Sequence, residues 1–118
     1  MLLTDLDRLG QVFLNLITNA QKYCDADAPV LRVSLDERDG QHVVLFEDNG
    51  SPIPPTTRNV IFEKFARIDQ KVGTGAGLGL AICKEIMARL GGRIYYEPTA
   101  SGNCFVVVLP AKQAVAAQ

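Results

Sequence analysis

The sequence predicts an α+β fold in which one sheet carries about three helices on one of its faces. Two observations lead to this prediction. The chain opens with a long stretch whose apolar residues recur at helical spacing, and a similar stretch lies in its last third. Each is followed by two short segments rich in β-branched and aromatic residues that are joined by a turn sequence. Helices alternating with strand pairs in this order are typical of a two-layer sandwich.

Three helices are predicted. The first runs from Leu2 to Lys22, and its apolar residues return every three or four positions. The stretch from Ser51 to Pro55 holds three prolines and cannot lie inside a helix or strand, so a short second helix is predicted from Thr56 to Phe62. The third helix is predicted from Leu78 to Leu90, and the glycine pair that begins at Gly91 ends it.

Four strands are predicted as two hairpins. Alternating apolar and polar residues and strong turn sequences mark both of them. The predicted strands are, in chain order, Val30 to Glu37, His42 to Glu47, Arg93 to Glu97 and Asn103 to Leu109.

Composition indicates one globular domain, residues 1–118, of ordinary character. The chain is 47% hydrophobic and 21% charged, with a formal net charge of -1. Lysines and arginines are scattered, which argues against nucleic-acid binding. The three cysteines are far apart and have no C-x-x-C spacing, which favours a reducing compartment, and we expect a cytoplasmic location. No apolar run reaches the ~20 residues that span a bilayer, so we expect no membrane insertion by this domain, although a parent protein could be anchored.

Two asparagines interrupt the apolar middle of the first helix. Asn15 and Asn19 are four residues apart, and Gln11 and Tyr23 extend the same ridge. An unpaired buried amide costs about 1–3 kcal/mol, so two on one ridge indicate either a shared polar ligand or pairing with nearby loop backbone. An amide oxygen suits Mg²⁺, and an amide NH₂ can donate to phosphate.

Asp48 ends the second strand and is followed by Asn49 and Gly50. An acid there can point into a cleft and accept from the exocyclic amine of adenine. Asp-Asn-Gly is also among the best turn formers, so a simple turn is the alternative.

The most specific local pattern is Gly73-Thr74-Gly75-Ala76-Gly77-Leu78-Gly79. Glycines at every second position offer bare N–H groups directly before a helix, which is typical of an anion-binding cradle. It is neither a P-loop nor a dinucleotide fingerprint. Upstream, Ile61 to Arg67 carries two aromatics and then an arginine that could reach phosphate, although a surface helix end is the alternative.

These four features, in this order, resemble the boxes of the GHKL ATPase superfamily, and within it the ATP-binding catalytic domain of sensor histidine kinases. The match runs from Leu3 to Leu109. The N box, first glycine box, F box and second glycine box correspond to Asp7–Tyr23, Glu47–Gly50, Ile61–Arg67 and Gly75–Ile82.

The resemblance implies a Bergerat-type sandwich with a mixed sheet, and it implies a role for each matching position. Mg²⁺ would be bound by Asn15, and catalysis would involve Asn15, Arg67 and the Gln11 position. ATP would be bound by Asn15, Asn19, Lys22, Tyr23, Asp48, Gly50, Ile53, Gly75, Gly77, Leu78 and Gly79. Residues 68–74 would form a short ATP lid.

The resemblance further implies transfer of the ATP γ-phosphoryl group to a histidine on a separate dimerisation domain, with a response regulator as an indirect partner. The only histidine of the chain, His42, lies in a strand pattern and is not expected to be that acceptor.

The family's first glycine box usually ends in glycine where this chain has Pro52, which leaves a nucleotide-sensing pseudokinase as an alternative. An anti-sigma-factor-type serine kinase is another. ATP hydrolases of the superfamily carry a glutamate as general base where this chain has Gln11, an amide that cannot take a proton.

Overall fold

The computed structural model describes residues 2–58, 60–63 and 80–110, with side chains described from Leu6 onward. It contains three helices and four strands within those ranges. In chain order these are α1 (Leu2–Tyr23), β1 (Leu31–Arg38), β2 (Gln41–Asp48), α2 (Pro55–Arg58), α3 (Leu80–Leu90), β3 (Arg93–Thr99) and β4 (Gly102–Val108).

The four strands form one sheet with the order β1-β2-β4-β3. Each outer strand pairs with its hairpin partner, and the two hairpins meet along β2 and β4. All three described pairs are antiparallel, so the mixed sheet that the resemblance implied is corrected to an antiparallel one for these strands. The tight turns account for the antiparallel pairs β1–β2 and β3–β4, because a tight turn can join only antiparallel neighbours. The β2–β4 pair is a tertiary contact between the hairpins.

The main core lies between the helices and one face of this sheet. Val12 and Leu16 of α1 and Cys83 and Met87 of α3 are almost fully buried there. They pack against every second residue of the strands, because successive strand residues point to opposite faces of the sheet. The residues that share this face with Val44 are therefore apolar. From the sheet, the buried or partly buried members of this cluster are Leu31, Val44, Phe46, Ile94, Tyr96, Phe105 and Val107.

The opposite face of the sheet buries a second, smaller cluster: Val43, Leu45, Cys104, Val106 and Val108. Tyr95 packs against it, and Arg38 donates to the Tyr95 hydroxyl at 3.3 Å. Arg38 also donates to both oxygens of Glu97, at 3.3 and 3.1 Å. Polar side chains therefore lie over part of this face, where no helix was predicted.

The predicted elements are confirmed in type and order, and most bounds shift by one or two residues. The predicted helix from Thr56 to Phe62 is shorter, since α2 ends at Arg58 and a turn follows at residues 60–63. The apolar middle of the first helix is only partly covered, because Leu14 is 64% exposed. The apolar residues of β1 were predicted to alternate with polar ones, but their burial does not follow this pattern: Val33 is 50% exposed and Leu35 is 75% exposed.

Candidate functional site

A cleft of about 560 Å³ opens between the C-terminal half of α1, the adjoining ends of β2 and β4, and the proline loop, which we define as residues 51–55. This volume lies within the range of small-molecule sites. Its lining includes the buried apolar side chains of Leu16, Phe46 and Phe105. The remaining lining residues are Asn19, Ala20, Lys22, Tyr23, Cys24, Asp25, Leu31, Asp48, Ser51, Pro52, Ile53, Pro54 and Asn103.

Asp48 lies at the end of β2 and is partly buried on the helix-covered face. Its Oδ1 accepts from the Gly50 backbone N–H at 2.8 Å and from Asn103 Nδ2 at 3.1 Å. No hydrogen bond within the described ranges ends on Oδ2, so this oxygen is available to accept from a ligand.

Gly50 is buried where the chain leaves β2. A Cβ on this residue would lie 3.1 Å from Asp48 Oδ1, 3.2 Å from Asp25 Oδ1 and 3.2 Å from Cys24 Cα. The absence of a side chain therefore allows two carboxylates and the end of α1 to approach one another. The sequence predicted Gly50 as a site residue, and its position beside Asp48 supplies a steric reason.

Asn103, the residue opposite Asp48 in the β2–β4 pair, was not predicted as a site residue. It is 7% exposed and makes four hydrogen bonds. Its Nδ2 donates to Asp48 Oδ1 and, at 3.0 Å, to the Ser51 carbonyl. Its Oδ1 accepts from the Ile53 N–H at 3.0 Å and from the Tyr96 hydroxyl. Asn103 thus joins Asp48 to the proline loop.

The proline loop is held from a second side. The Tyr96 hydroxyl also accepts from the Ile53 N–H at 3.0 Å. Arg58 of α2 donates through Nε to the Ile53 carbonyl at 2.9 Å, and its guanidinium lies 5.6 Å from the centre of the Tyr96 ring. Ile53 is 8% exposed, so its backbone and its side chain are both fixed at the edge of the cleft.

The loop after α1 forms another edge of the cleft. Asp25 Oδ1 accepts from the Ser51 N–H at 2.7 Å, and this hydrogen bond lowers the pKa of the Asp25 carboxyl. Asn49 accepts from Val30 N–H at 2.9 Å and donates to the Ala28 carbonyl at 3.0 Å. The turn predicted at Asp48 to Gly50 therefore also holds the loop formed by residues 24–30. The sequence had not predicted this contact between the turn and the loop.

The predicted α1 ridge reaches the cleft only in part. Asn19, Lys22 and Tyr23 line it, and Asn15 and Gln11 do not belong to its described lining. Asn15 Nδ2 donates to the Cys83 thiol of α3 at 3.6 Å. Among the residues that the structure describes, no hydrogen bond uses the Asn15 amide oxygen.

Four predicted contributors lie outside the described residues: Arg67, the glycines of the second glycine box (Gly75, Gly77 and Gly79), Leu78 and the 68–74 lid. The described cleft is therefore the part of the predicted site built from α1, the ends of β2 and β4, and the proline loop.

Across residues 4–113 the chain matches the family described as histidine kinase-, DNA gyrase B- and HSP90-like ATPase. The chain belongs to this ATPase family, and the sequence-based resemblance to the superfamily is confirmed.

Within the family the chain is similar to sensor proteins. It is 39% identical over 110 residues to the sensor protein VanS of Enterococcus faecium, an alignment that covers 91% of this chain and 28% of VanS. It is 33% identical over 110 residues to the sensor protein SrrB of Staphylococcus aureus, covering 90% of this chain and 19% of SrrB. The chain thus spans less than a third of the length of these relatives.

Solved structures agree with the fold. The catalytic domain of histidine kinase ThkA superposes with a TM-score of 0.75 at 28% identity, covering 88% of this chain and 67% of that one. The mycobacterial sensor histidine kinase MprB gives a TM-score of 0.74 at 33% identity, covering 88% and 70%. The α+β sandwich predicted from the sequence is confirmed. None of the described helices is long and apolar enough to cross a membrane.

Proposed function

We propose that this chain is the ATP-binding catalytic domain of a sensor histidine kinase, and that it binds Mg²⁺-ATP in the cleft beside Asp48. The observation that carries the proposal is the fixed Asp48 carboxylate at the end of β2, facing a cleft of nucleotide size in a chain of an ATPase family. Bound Mg²⁺-ATP would supply the phosphoryl group and the metal charge that screens it.

The base would bind at the Asp48 end. A carboxylate whose Oδ1 is already held by two donors can offer Oδ2 to the exocyclic amine of adenine. Phe46, Phe105 and Ile53 would supply the apolar surface for the ring. Gly50 would contribute by keeping Asp48 close to the end of α1.

The phosphates would bind at the α1 side. Lys22 and Asn19 line the cleft and can donate to anionic oxygens. Tyr23 also lines the cleft, and by resemblance it would face the base or the ribose. Asn15 is a suitable Mg²⁺ ligand, because its NH₂ group is held by Cys83 and its amide oxygen suits a hard cation. By resemblance, Arg67 and the residues Gly75, Gly77, Leu78 and Gly79 would complete the phosphate site.

Transfer would require a histidine from another domain. His42 lies at the hairpin end of β2, six residues along the strand from Asp48, or about 20 Å away at the usual rise per residue. Gln11 is exposed on α1 and cannot deprotonate a water, so bound ATP should not be hydrolysed rapidly.

The expected partners are a histidine-containing dimerisation domain and, indirectly, a response regulator. The solved complex of ThkA with the response regulator protein TrrA supports the latter by similarity.

The test is incubation of the 118-residue chain with γ-labelled ATP and Mg²⁺, alone and with the dimerisation domain of its parent. We expect binding, little self-labelling and little phosphate release by the chain alone, followed by weak labelling of the added domain. Transfer in trans is weak because the effective concentration given by a tether is lost. Binding without transfer to any acceptor would favour the nucleotide-sensing pseudokinase, and rapid phosphate release would favour a hydrolase.

A further inference from the structure

The buried side chain that the sequence did not single out is Asn103. It is the one buried polar residue among the described side chains, and all of its hydrogen-bonding groups are used. Its position directly across from Asp48 on the neighbouring strand brings its Nδ2 to the carboxylate. A buried amide of this kind lowers the free energy of the fold only while all four partners stay in place.

We propose that Asn103, braced by Tyr96, is the positioning residue that sets the preference of the cleft for an adenine base over a guanine base. The proposal rests on the function proposed above. Asn103 acts through Asp48 and the proline loop, and no contact between Asn103 and the nucleotide is needed.

The first step of the argument concerns the orientation of the carboxylate. Asp48 Oδ1 is held by Gly50 N–H at 2.8 Å and by Asn103 Nδ2 at 3.1 Å. With both donors present the carboxylate has one orientation, and Oδ2 remains as the acceptor. Adenine offers an amine at this edge, whereas guanine offers a carbonyl that would face the carboxylate without a hydrogen atom between them. A misfit of this kind is the strongest basis for discrimination in a polar site.

The second step concerns the proline loop. Asn103 accepts from the Ile53 N–H and donates to the Ser51 carbonyl, so one side chain holds both the carboxylate and the loop beside it. The loop can therefore not move relative to Asp48 without breaking hydrogen bonds to Asn103. A base that fits between them meets a preformed site, which lowers the entropy lost on binding.

The third step concerns Tyr96. Its hydroxyl donates to Asn103 Oδ1 and accepts from the Ile53 N–H, and its ring packs on Phe105 with ring centres 5.3 Å apart. The contacts of Asn103 with Asp48, Ser51 and the Ile53 N–H already fix which end of the amide faces Asp48. Donation from the Tyr96 hydroxyl to Oδ1 strengthens this orientation, so loss of the hydroxyl should hold the Asn103 side chain less firmly.

Two substitutions separate these contributions. Asn103→Asp keeps the size of the side chain and its acceptor for Ile53 N–H, but replaces the donor to Asp48 by a second carboxylate oxygen. Tyr96→Phe keeps the ring and removes the hydroxyl. The matched control is Tyr95→Phe, which removes a hydroxyl from the preceding residue of β3. That hydroxyl lies on the opposite face of the sheet, where it accepts from Arg38.

The experiment measures the affinities of the 118-residue chain and its variants for ATP and for GTP, in Mg²⁺, together with thermal unfolding. We expect the native chain and Tyr95→Phe to prefer ATP to the same degree. We expect the ATP-to-GTP ratio to fall by about tenfold or more in Asn103→Asp and by a smaller factor in Tyr96→Phe, while the requirement for Mg²⁺ is kept.

Substitution of a residue with a merely structural role would weaken the binding of ATP and GTP equally and leave the ATP-to-GTP affinity ratio unchanged. An unchanged ratio in Asn103→Asp and Tyr96→Phe, with a selective native chain, therefore overturns this inference and leaves the proposed function standing. If Asn103→Asp does not fold, the ATP-to-GTP affinity ratio of Tyr96→Phe tests the inference instead. Absence of ATP binding by the native chain overturns the proposed function and this inference together.

Discussion

Gly102, at the start of β4, gives the sharpest prediction of a stability change. A Cβ built on this glycine would lie 1.9 Å from the Asp48 carbonyl oxygen and 2.9 Å from Asn49 Cα. Both are backbone atoms, so neither can rotate out of the way as a side chain would. We therefore expect Gly102→Ala to force the start of β4 away from the end of β2.

The size of the effect follows from this geometry. An ordinary contact begins at 3.4 Å, so the two backbones would have to separate by about 1.5 Å. A shift of that size would lengthen the Asn103–Asp48 hydrogen bond, now 3.1 Å, beyond bonding distance. Overpacking typically costs about 1–3 kcal/mol, and a hydrogen bond to a charged group contributes about 1.5–3 kcal/mol. We expect Gly102→Ala to lower the free energy of unfolding by about 3 kcal/mol or more, a large share of the 5–15 kcal/mol typical of a domain.

Urea unfolding of the native chain and two variants measures this effect. The control is Gly10→Ala, because Gly10 lies exposed in α1 and a Cβ there meets no atom within 4 Å. We expect Gly10→Ala to raise stability by about 0.5–1 kcal/mol, since alanine loses less entropy in a helix. A loss below about 1 kcal/mol for Gly102→Ala would refute the argument that this close approach is rigid.

Three further predictions address the site and the core. Asn15→Ala should abolish the Mg²⁺ dependence of ATP binding and leave the fold intact; calorimetric titration with and without Mg²⁺ checks this, and an unchanged dependence would remove Asn15 as the metal ligand. Asp48→Asn should lose the preference for ATP over GTP, and an unaltered affinity ratio would exclude Asp48 from reading the base. Burial, with the charges of Glu47 and Glu97, raises the pKa of the Cys104 thiol from 9.0 to about 11. The unfolded thiol then ionises first, so stability should fall as the pH rises from 9 towards 11. Urea midpoints of the native chain and Cys104→Ala check this, and equal slopes against pH would contradict it.

The sequence predicted the elements well because their signals are local. Helical periodicity, the Asp39-Gly40 turn and the glycine pair after Leu90 each depend on neighbouring residues. The pairing of the two hairpins is different, because no local pattern says that β2 lies beside β4. Asn103 was therefore missed as a partner of Asp48: it could be recognised only as the one amide in an otherwise apolar strand, and its role depends on a register between distant segments.

The same distinction explains why the α1 ridge was predicted only in part. The four-residue spacing of Gln11, Asn15, Asn19 and Tyr23 places them on one side of a helix. The spacing does not say where along that side the cleft begins. The described lining of the cleft begins at Leu16, and the first ridge residue in it is Asn19. Asn15 lies one turn before Asn19, against Cys83 of α3. The packing of α3 against α1 decides this boundary, and it is a tertiary feature.

The substitution of proline for the usual glycine at position 52 has a physical explanation in the neighbouring residues. Proline has no N–H and a fixed φ, so it fits only where the backbone donates no hydrogen bond. The described hydrogen bonds of this loop segment fall on the residues either side: the Ser51 N–H donates to Asp25 and the Ile53 N–H donates to Asn103 and Tyr96. Pro52 therefore replaces none of these donors, and it reduces the freedom of a loop that must stay fixed beside Asp48. Pro52, the departure from the family pattern that left a nucleotide-sensing pseudokinase as an alternative, is on this geometry compatible with a preformed nucleotide site.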